Sequence, residues 1–203
     1  MNCDRIARWY ALLEHAAFGS ALERCRVRFL PDLADAKRVL ALGDGDGRPL
    51  VALLQACPAA QVDYIDLSAK MLALARKRTD HDKRVTFIQA DALTMPLPQA
   101  EYDAIVTHFF LDCFDEQNAS RLIERIARAA KPGARWIVSE FRAEQWWSRW
   151  LVSWLYFFFR ITTGLKTRCL PDYPRFLRQS GFNCLQRKTS AGGLLVSEIW
   201  RRG

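Results

Sequence analysis

An apolar run, Arg38-Val39-Leu40-Ala41-Leu42, leads into Gly43-Asp44-Gly45-Asp46-Gly47, and a further carboxylate, Asp66, stands 23 residues after Gly43. Glycines in such a turn let the backbone approach a bound molecule closely, and a helix that starts there presents free amide donors. A carboxylate at the tip of the next strand can accept both hydroxyls of a ribose. The chemistry implied is nucleotide binding, although a βα turn with an incidentally acidic surface would look similar. A nicotinamide dinucleotide is disfavoured, because its fingerprint needs a third glycine where Arg48 stands. Two aspartates inside the loop would repel a pyrophosphate, so a cationic or zwitterionic ligand suits them better.

His108, in Thr107-His108-Phe109-Phe110-Leu111-Asp112-Cys113, is the one histidine placed to act as a base at neutral pH. The alternative is that it only hydrogen-bonds a ligand or caps the following loop. His15 and His81 lie on helix and loop surfaces. Cys113 has no partner spacing that would make it a nucleophile, so a buried thiol is the default reading. The six cysteines contain no CxxC pair, and no secretory signal opens the chain. They read as reduced thiols of a cytoplasmic protein, with no disulfide framework and no metal site.

The elements that must position these residues follow from the pattern of the 203-residue chain. Half of it is hydrophobic, 26% is charged, and 10 glycines and 8 prolines exclude disordered or collagen-like scaffolds. Residues 1–36 read as helical, with Ile6, Trp9, Tyr10, Leu13 and Ala17 at three- and four-residue steps and a second run from Leu22 to Leu30. Strands are expected at Arg38–Leu42, Gln61–Asp66, Val85–Ile88, Tyr102–Phe109 and Arg135–Phe141. Helices between them run through Leu50–Leu54, from Ser68 to Arg78 with Ser68 as N-cap, and over Glu116–Ala130, stopping at Lys131-Pro132-Gly133. Such alternation means right-handed crossovers and a parallel sheet with helices on both faces. A helix over Tyr173–Gln179 and two strands, Phe182–Lys188 and Leu194–Trp200, close the chain; the short turn Ala191-Gly192-Gly193 makes those strands an antiparallel hairpin.

Taken together, these motifs resemble the class I S-adenosylmethionine-dependent methyltransferases, particularly the branch with quinone-biosynthesis and small-molecule enzymes. The residues that carry the resemblance are Val39–Gly47, Asp66-Leu67-Ser68-Ala69-Lys70-Met71-Leu72, Gln89-Ala90-Asp91-Ala92 with Met95-Pro96-Leu97, Tyr102-Asp103-Ala104-Ile105-Val106 and Lys131-Pro132-Gly133. The resemblance implies a single Rossmann-like domain whose seven-stranded, mostly parallel α/β sheet has the order 3-2-1-4-5-7-6. Residues 1–36 would be a helical cap, 37–141 the cofactor-binding core, 142–170 an aromatic helical insertion, and 171–203 the last helix and hairpin. It also implies S-adenosylmethionine as cofactor and S-adenosylhomocysteine as product. Gly43, Asp44, Gly45 and Gly47 would hold the methionine part and Asp66 the ribose. Leu67 and Met71 would lie against the adenine, with Asp91 accepting from its amine and Ala92 beside the ring. Thr107 and His108 at the fourth strand's tip and Tyr10 on the N-terminal helix complete the expected contacts. Ala41 departs from the pattern, since the family usually has an acidic residue there; Asp44 or Asp46 would then meet the amino group.

The formal charge of +8 is uneven: residues 1–141 are neutral, and the excess belongs to 142–203. There Glu144–Thr163 holds four of the seven tryptophans, with Arg149, Ser153, Tyr156 and Arg160 on one polar stripe of a helix. It is too short and too charged to span a bilayer. It reads as a lid over the site or a homodimer contact, or as a helix resting on the inner face of an anionic membrane. Each reading favours a small lipophilic acceptor. The Asn-Pro-Pro-aromatic signature of amine-modifying methyltransferases is absent. A nucleic-acid methyltransferase is the rival suggested by the basic region, but no separate RNA-binding module accompanies it. Spermidine synthases share the glycine-aspartate-glycine turn but have an N-terminal β domain where this chain has helices. A cofactor binder without catalysis is the remaining alternative.

Overall fold

The structure, a computed structural model, describes residues 20–142 and 171–203. The expected helix over Ile6–Ala17, Tyr10 with it, and the aromatic helix over 144–163 lie outside the described residues.

Helix α1 (Ala21–Val27) leads through a 3-10 turn at Leu30–Leu33 into β1 (Arg38–Leu42). It ends three residues before the apolar run does, where the 3-10 turn takes over. Then follow α2 (Arg48–Ala56), β2 (Gln61–Asp66), α3 (Ala69–Arg78), β3 (Val85–Gln89), β4 (Tyr102–His108), α4 (Glu116–Ala129) and β5 (Ala130–Phe141). The described chain ends with α5 (Tyr173–Gln179), β6 (Phe182–Ser190) and β7 (Leu195–Arg202). The sheet order is β3-β2-β1-β4-β5-β7-β6, as the resemblance implies, with β7 antiparallel to both β5 and β6 and the other pairs parallel.

Every residue of β1 except Arg38 is buried, as a central parallel strand requires. Its side chains alternate between two cores. Leu40 and Leu42 join Ile105, Trp136, Val138 and Trp200 under α4 and α5. Val39 and Ala41 join Tyr64, Ala104 and Val106 under α2 and α3. Helix α4 buries Ala119, Leu122, Ile123, Ile126 and Ala127 at three- and four-residue steps. Its N-cap is Asp115, which accepts the Asn118 amide at 2.8 Å, while Ser68 Oγ caps α3 by accepting the Met71 amide at 3.2 Å.

One element departs from the sequence reading. Lys131-Pro132-Gly133 is not a loop before a strand at Arg135, because β5 already starts at Ala130. Tyr102 pairs with Ala130 and Ala104 with Arg135, so residues 131–134 bulge opposite Asp103 alone. Proline lacks a ladder donor and Gly133 sits at φ +78°, which makes the bulge natural. Asp103 fastens it, accepting from Lys131 Nζ at 2.8 Å and from the Lys37 and Arg38 amides at 3.1 and 2.9 Å.

Candidate functional site

The three turn glycines do three different jobs. Gly43, at φ +62°, donates to the Ile65 carbonyl at 2.8 Å, and a Cβ there would stand 2.0 Å from the Phe110 ring. Gly47, at φ +81°, lies against α3, where a Cβ would meet the Ala75 Cα at 2.6 Å. Gly45, at φ +72°, faces open space: a Cβ would find no atom within 4 Å. Of these three, only Gly45 is therefore a glycine whose missing side chain leaves room for a ligand. Its carbonyl accepts the Tyr64 hydroxyl at 3.0 Å. Burial, reinforced by the negative charges of Asp44, Asp66 and Asp46, pushes that phenol well above its ordinary pKa, so it stays a donor.

Asp66 terminates β2 beside this opening. Its Oδ1 accepts the Ser68 amide at 2.7 Å. Burial pushes the carboxyl up to about 6; the Ser68 and Gly45 amides oppose the rise and the charge of Asp44 adds to it. A partly buried carboxylate steadied by two amides, with lone pairs left over, suits a pair of ribose hydroxyls.

The two loop aspartates differ. Asp46 is fully engaged: Arg48 Nε lies 3.1 Å from both carboxylate oxygens and an Arg78 terminal nitrogen 3.1 Å from Oδ2. Asp44 pairs with His108 instead, Oδ1 to Nδ1 at 2.8 Å, with each side chain 1% exposed. Asp44 Oδ2 and His108 Nε2 are buried without a hydrogen-bond partner among the described residues.

Further out, Leu67 is exposed and Met71 is buried in the packing of α3. Asp91 Oδ1 accepts the Leu93 amide at 2.9 Å, and Ala92 is buried, its carbonyl accepting from Arg125 at 2.8 Å. Arg125 also reaches the Met95 carbonyl, fixing the loop after β3 from α4. Thr107 turns away from the glycine turn: its hydroxyl accepts the Trp136 indole N–H at 2.9 Å in the core. Asp44, Gly45, Asp66 and His108 thus gather at the carboxyl edge of β1, β2 and β4, whereas the Thr107 side chain does not.

Three residues at this edge escaped the sequence reading. The Phe110 ring covers Gly43 and packs edge-on against Phe114 at 5.1 Å. Arg26 of α1 is buried with its guanidinium 5.1 Å above the Phe109 ring. Its spacing of four from Leu22 put it on the inward face of α1, a signal its charge obscured. Glu140 is fully buried in β5, where Oε1 accepts the Phe110 and Leu111 amides at 3.1 and 2.8 Å. Burial pushes its carboxyl well above the usual range. It ties the loop after β4 to the end of β5 and so holds Phe110 over the turn. Among the described residues no group of three or more histidine, cysteine or acidic side chains could hold a metal ion.

The family described as a methyltransferase domain matches residues 39–133. The chain is 35% identical over 144 residues to the demethylmenaquinone methyltransferase of Thermus thermophilus, covering 68% of this chain and 63% of that protein. It is 28% identical over 216 residues to the ubiquinone/menaquinone biosynthesis C-methyltransferase UbiE of Syntrophotalea carbinolica, covering 95% and 89%. The fold is that of human N-acetylserotonin methyltransferase, whose structure in complex with SAM superposes with a TM-score of 0.69 at 21% identity, over 97% of this chain and 55% of that one. The chain thus spans just under two thirds of the Thermus relative's length.

Proposed function

The chain belongs to the class I S-adenosylmethionine-dependent methyltransferases, and from that premise we propose that it methylates a small lipophilic acceptor. S-adenosylmethionine fits the site's own chemistry. The opening beside Gly45 leaves room for the ligand backbone, Asp66 offers acceptors for its ribose, and the acidic turn suits its amino-acid end. When bound, the cofactor supplies an electrophilic methyl on a sulfonium.

The chain's own residues align the reactants and exclude water. Asp66 fixes the sugar, and the Phe110 ring beside Gly43 narrows access to the turn. An aromatic wall tolerates a sulfonium through cation–π attraction and keeps water away while its charge disperses. Leu67 and the loop at Asp91–Ala92 bound the adenine end. Of the roles open to His108, we take support of the glycine turn through Asp44 in preference to proton abstraction, because the buried ring exposes no nitrogen toward an acceptor.

The acceptor class is supported by the quinone methyltransferases among the relatives and by the aromatic segment at 144–163, which we read as a lid or a contact between two copies. No helix among the described residues is long and apolar enough to cross a membrane. The chain's scattered cysteines, with no CxxC pair, lead us to read it as a cytoplasmic protein.

The observation that carries the reading is the juxtaposition of Asp66 with the open face of Gly45. Its test is transfer of a labelled methyl group from S-adenosylmethionine, with products partitioned between organic solvent and precipitated RNA. Label recovered in the organic phase from detergent-dispersed hydroquinones is expected; label confined to RNA would refute the acceptor class.

A further inference from the structure

We infer that Arg125 of α4 is a positioning residue for base recognition: by gripping both ends of the turn after β3, it holds Asp91 where the carboxylate tells a 6-amino purine from a 6-oxo one. The inference rests on the methyltransferase reading above and adds a residue that touches no ligand itself.

The turn closes on itself. The Asp91 carbonyl accepts the Thr94 and Met95 amides at 3.0 and 2.9 Å, and Asp91 Oδ1 accepts the Leu93 amide at 2.9 Å. These bonds fix the Asp91 side chain to its own turn and leave Oδ2 of this exposed residue for a ligand donor. The segment is tied to β2 only at its start, where the Ala90 amide donates to the Asp66 carbonyl at 3.2 Å. Beyond that point Ala92 packs in the core under α4 and α5, with Leu93, Met95 and Leu97 against it. Apolar contacts of this kind are non-directional and would let the turn rock.

Arg125 supplies the directional restraint. One terminal nitrogen donates to the Ala92 carbonyl at 2.8 Å and the other to the Met95 carbonyl, acceptors that the turn's own bonds do not use. A planar guanidinium presents these donors in a fixed fork, so it pins two points of the turn at once. The helix pattern puts it there: Arg125 falls three residues after buried Leu122 and four before buried Ala129, on the rim of the buried face of α4. From that rim a long side chain can run along apolar surface and present its charged end to the loop. Base selectivity is what the grip controls. A carboxylate accepts from the 6-amino group of adenine and repels a 6-oxo group, and the hydrogen bond weakens steeply once the acceptor is misplaced.

Calorimetry on the full chain tests this with S-adenosylhomocysteine and S-inosylhomocysteine, in which a 6-oxo group replaces the 6-amino group. The readout is the ratio of the two affinities, from which any general loss of folded protein cancels. Wild type should prefer the adenine compound about tenfold to a hundredfold, the range of a charge-assisted hydrogen bond. Arg125→Met keeps a long side chain but removes both donors, and should cut that preference at least about fivefold. Arg125→Lys, which keeps the charge without the fork, should fall between the two and serves alone if the methionine variant does not fold. Arg128→Met removes an equal charge from the same helix, where the side chain pairs with Glu124 at 2.9 Å, and should leave the ratio at its wild-type value. A wild-type ratio near one would overturn the inference without any variant. So would a ratio unchanged by both substitutions of Arg125, or one that Arg128→Met lowers as far. Wild type that binds neither compound would overturn the cofactor reading as well.

Discussion

Alanine at Gly45 and alanine at Gly47 are the same chemical change two residues apart, and the structure assigns them opposite consequences. Both glycines have positive φ, +72° and +81°, so an alanine at either costs about 1–2 kcal/mol of backbone strain. At Gly45 the added methyl meets nothing within 4 Å, so strain is the whole cost to folding. For a domain of this size that lowers the melting temperature by roughly 2–8 °C. At Gly47 the methyl would lie 2.6 Å from the Ala75 Cα and 2.7 Å from its Cβ, and a helix backbone cannot swing aside as a side chain can. Overpacking then adds about 1–3 kcal/mol, giving roughly 2–5 kcal/mol in all. Ligand binding should rank the other way. The Gly45→Ala methyl projects into the space assigned to the cofactor and should weaken S-adenosylhomocysteine at least about tenfold, equivalent to about 1.4 kcal/mol. Gly47→Ala, where it stays folded, should bind nearly normally. Urea denaturation and calorimetry on the two proteins measure both quantities. Wild-type affinity in Gly45→Ala would show that the opening is not where the ligand sits and would refute the reasoning from the turn.

Protonation of Asp66 provides a second check. Its folded pKa, about 6, lies above the ordinary 3.8, so the folded state holds the proton more tightly than the unfolded chain does. The resulting penalty on folding is absent at pH 3, grows between about 4 and 6, and is complete above 6. Asp66→Asn should therefore be more stable than wild type at pH 8 and similar to it near pH 3 by thermal melting, while losing S-adenosylhomocysteine; wild-type affinity should itself fall as pH drops through about 6. Thr107→Val removes the acceptor of the Trp136 indole and should cost about 1–3 kcal/mol in urea denaturation with ligand affinity unchanged. An affinity loss without a stability loss would return Thr107 to the binding site. With the aromatic segment 144–163 acting as a lid or subunit contact, the protein should stay in the supernatant when phosphatidylglycerol vesicles are sedimented; co-sedimentation would favour the membrane-surface role.

Much of this architecture is written locally in the chain. β1 and β2 keep the bounds their apolar runs suggest, Ser68 caps α3 as its type suggests, and the closing strands pair through the expected Gly-rich turn. Local patterns suffice there because burial periodicity, capping and turn chemistry act over a few residues. Asp66 could be found the same way, since strand, carboxylate and glycine turn follow each other in order. What each residue does with its side chain required the tertiary structure. Asp44 and Asp46 are the same residue type in the same loop, yet Arg78, 32 positions away, binds one and His108, 64 positions away, binds the other. Gly43, Gly45 and Gly47 look equivalent until Phe110 and Ala75 arrive from β4's loop and α3. Thr107 and His108 are neighbours on one strand, but the two-residue alternation sends their side chains into opposite faces of the sheet. Those outcomes depend on which distant segments the crossovers bring to the carboxyl edge of the sheet, and contacts at that separation leave no trace in local spacing.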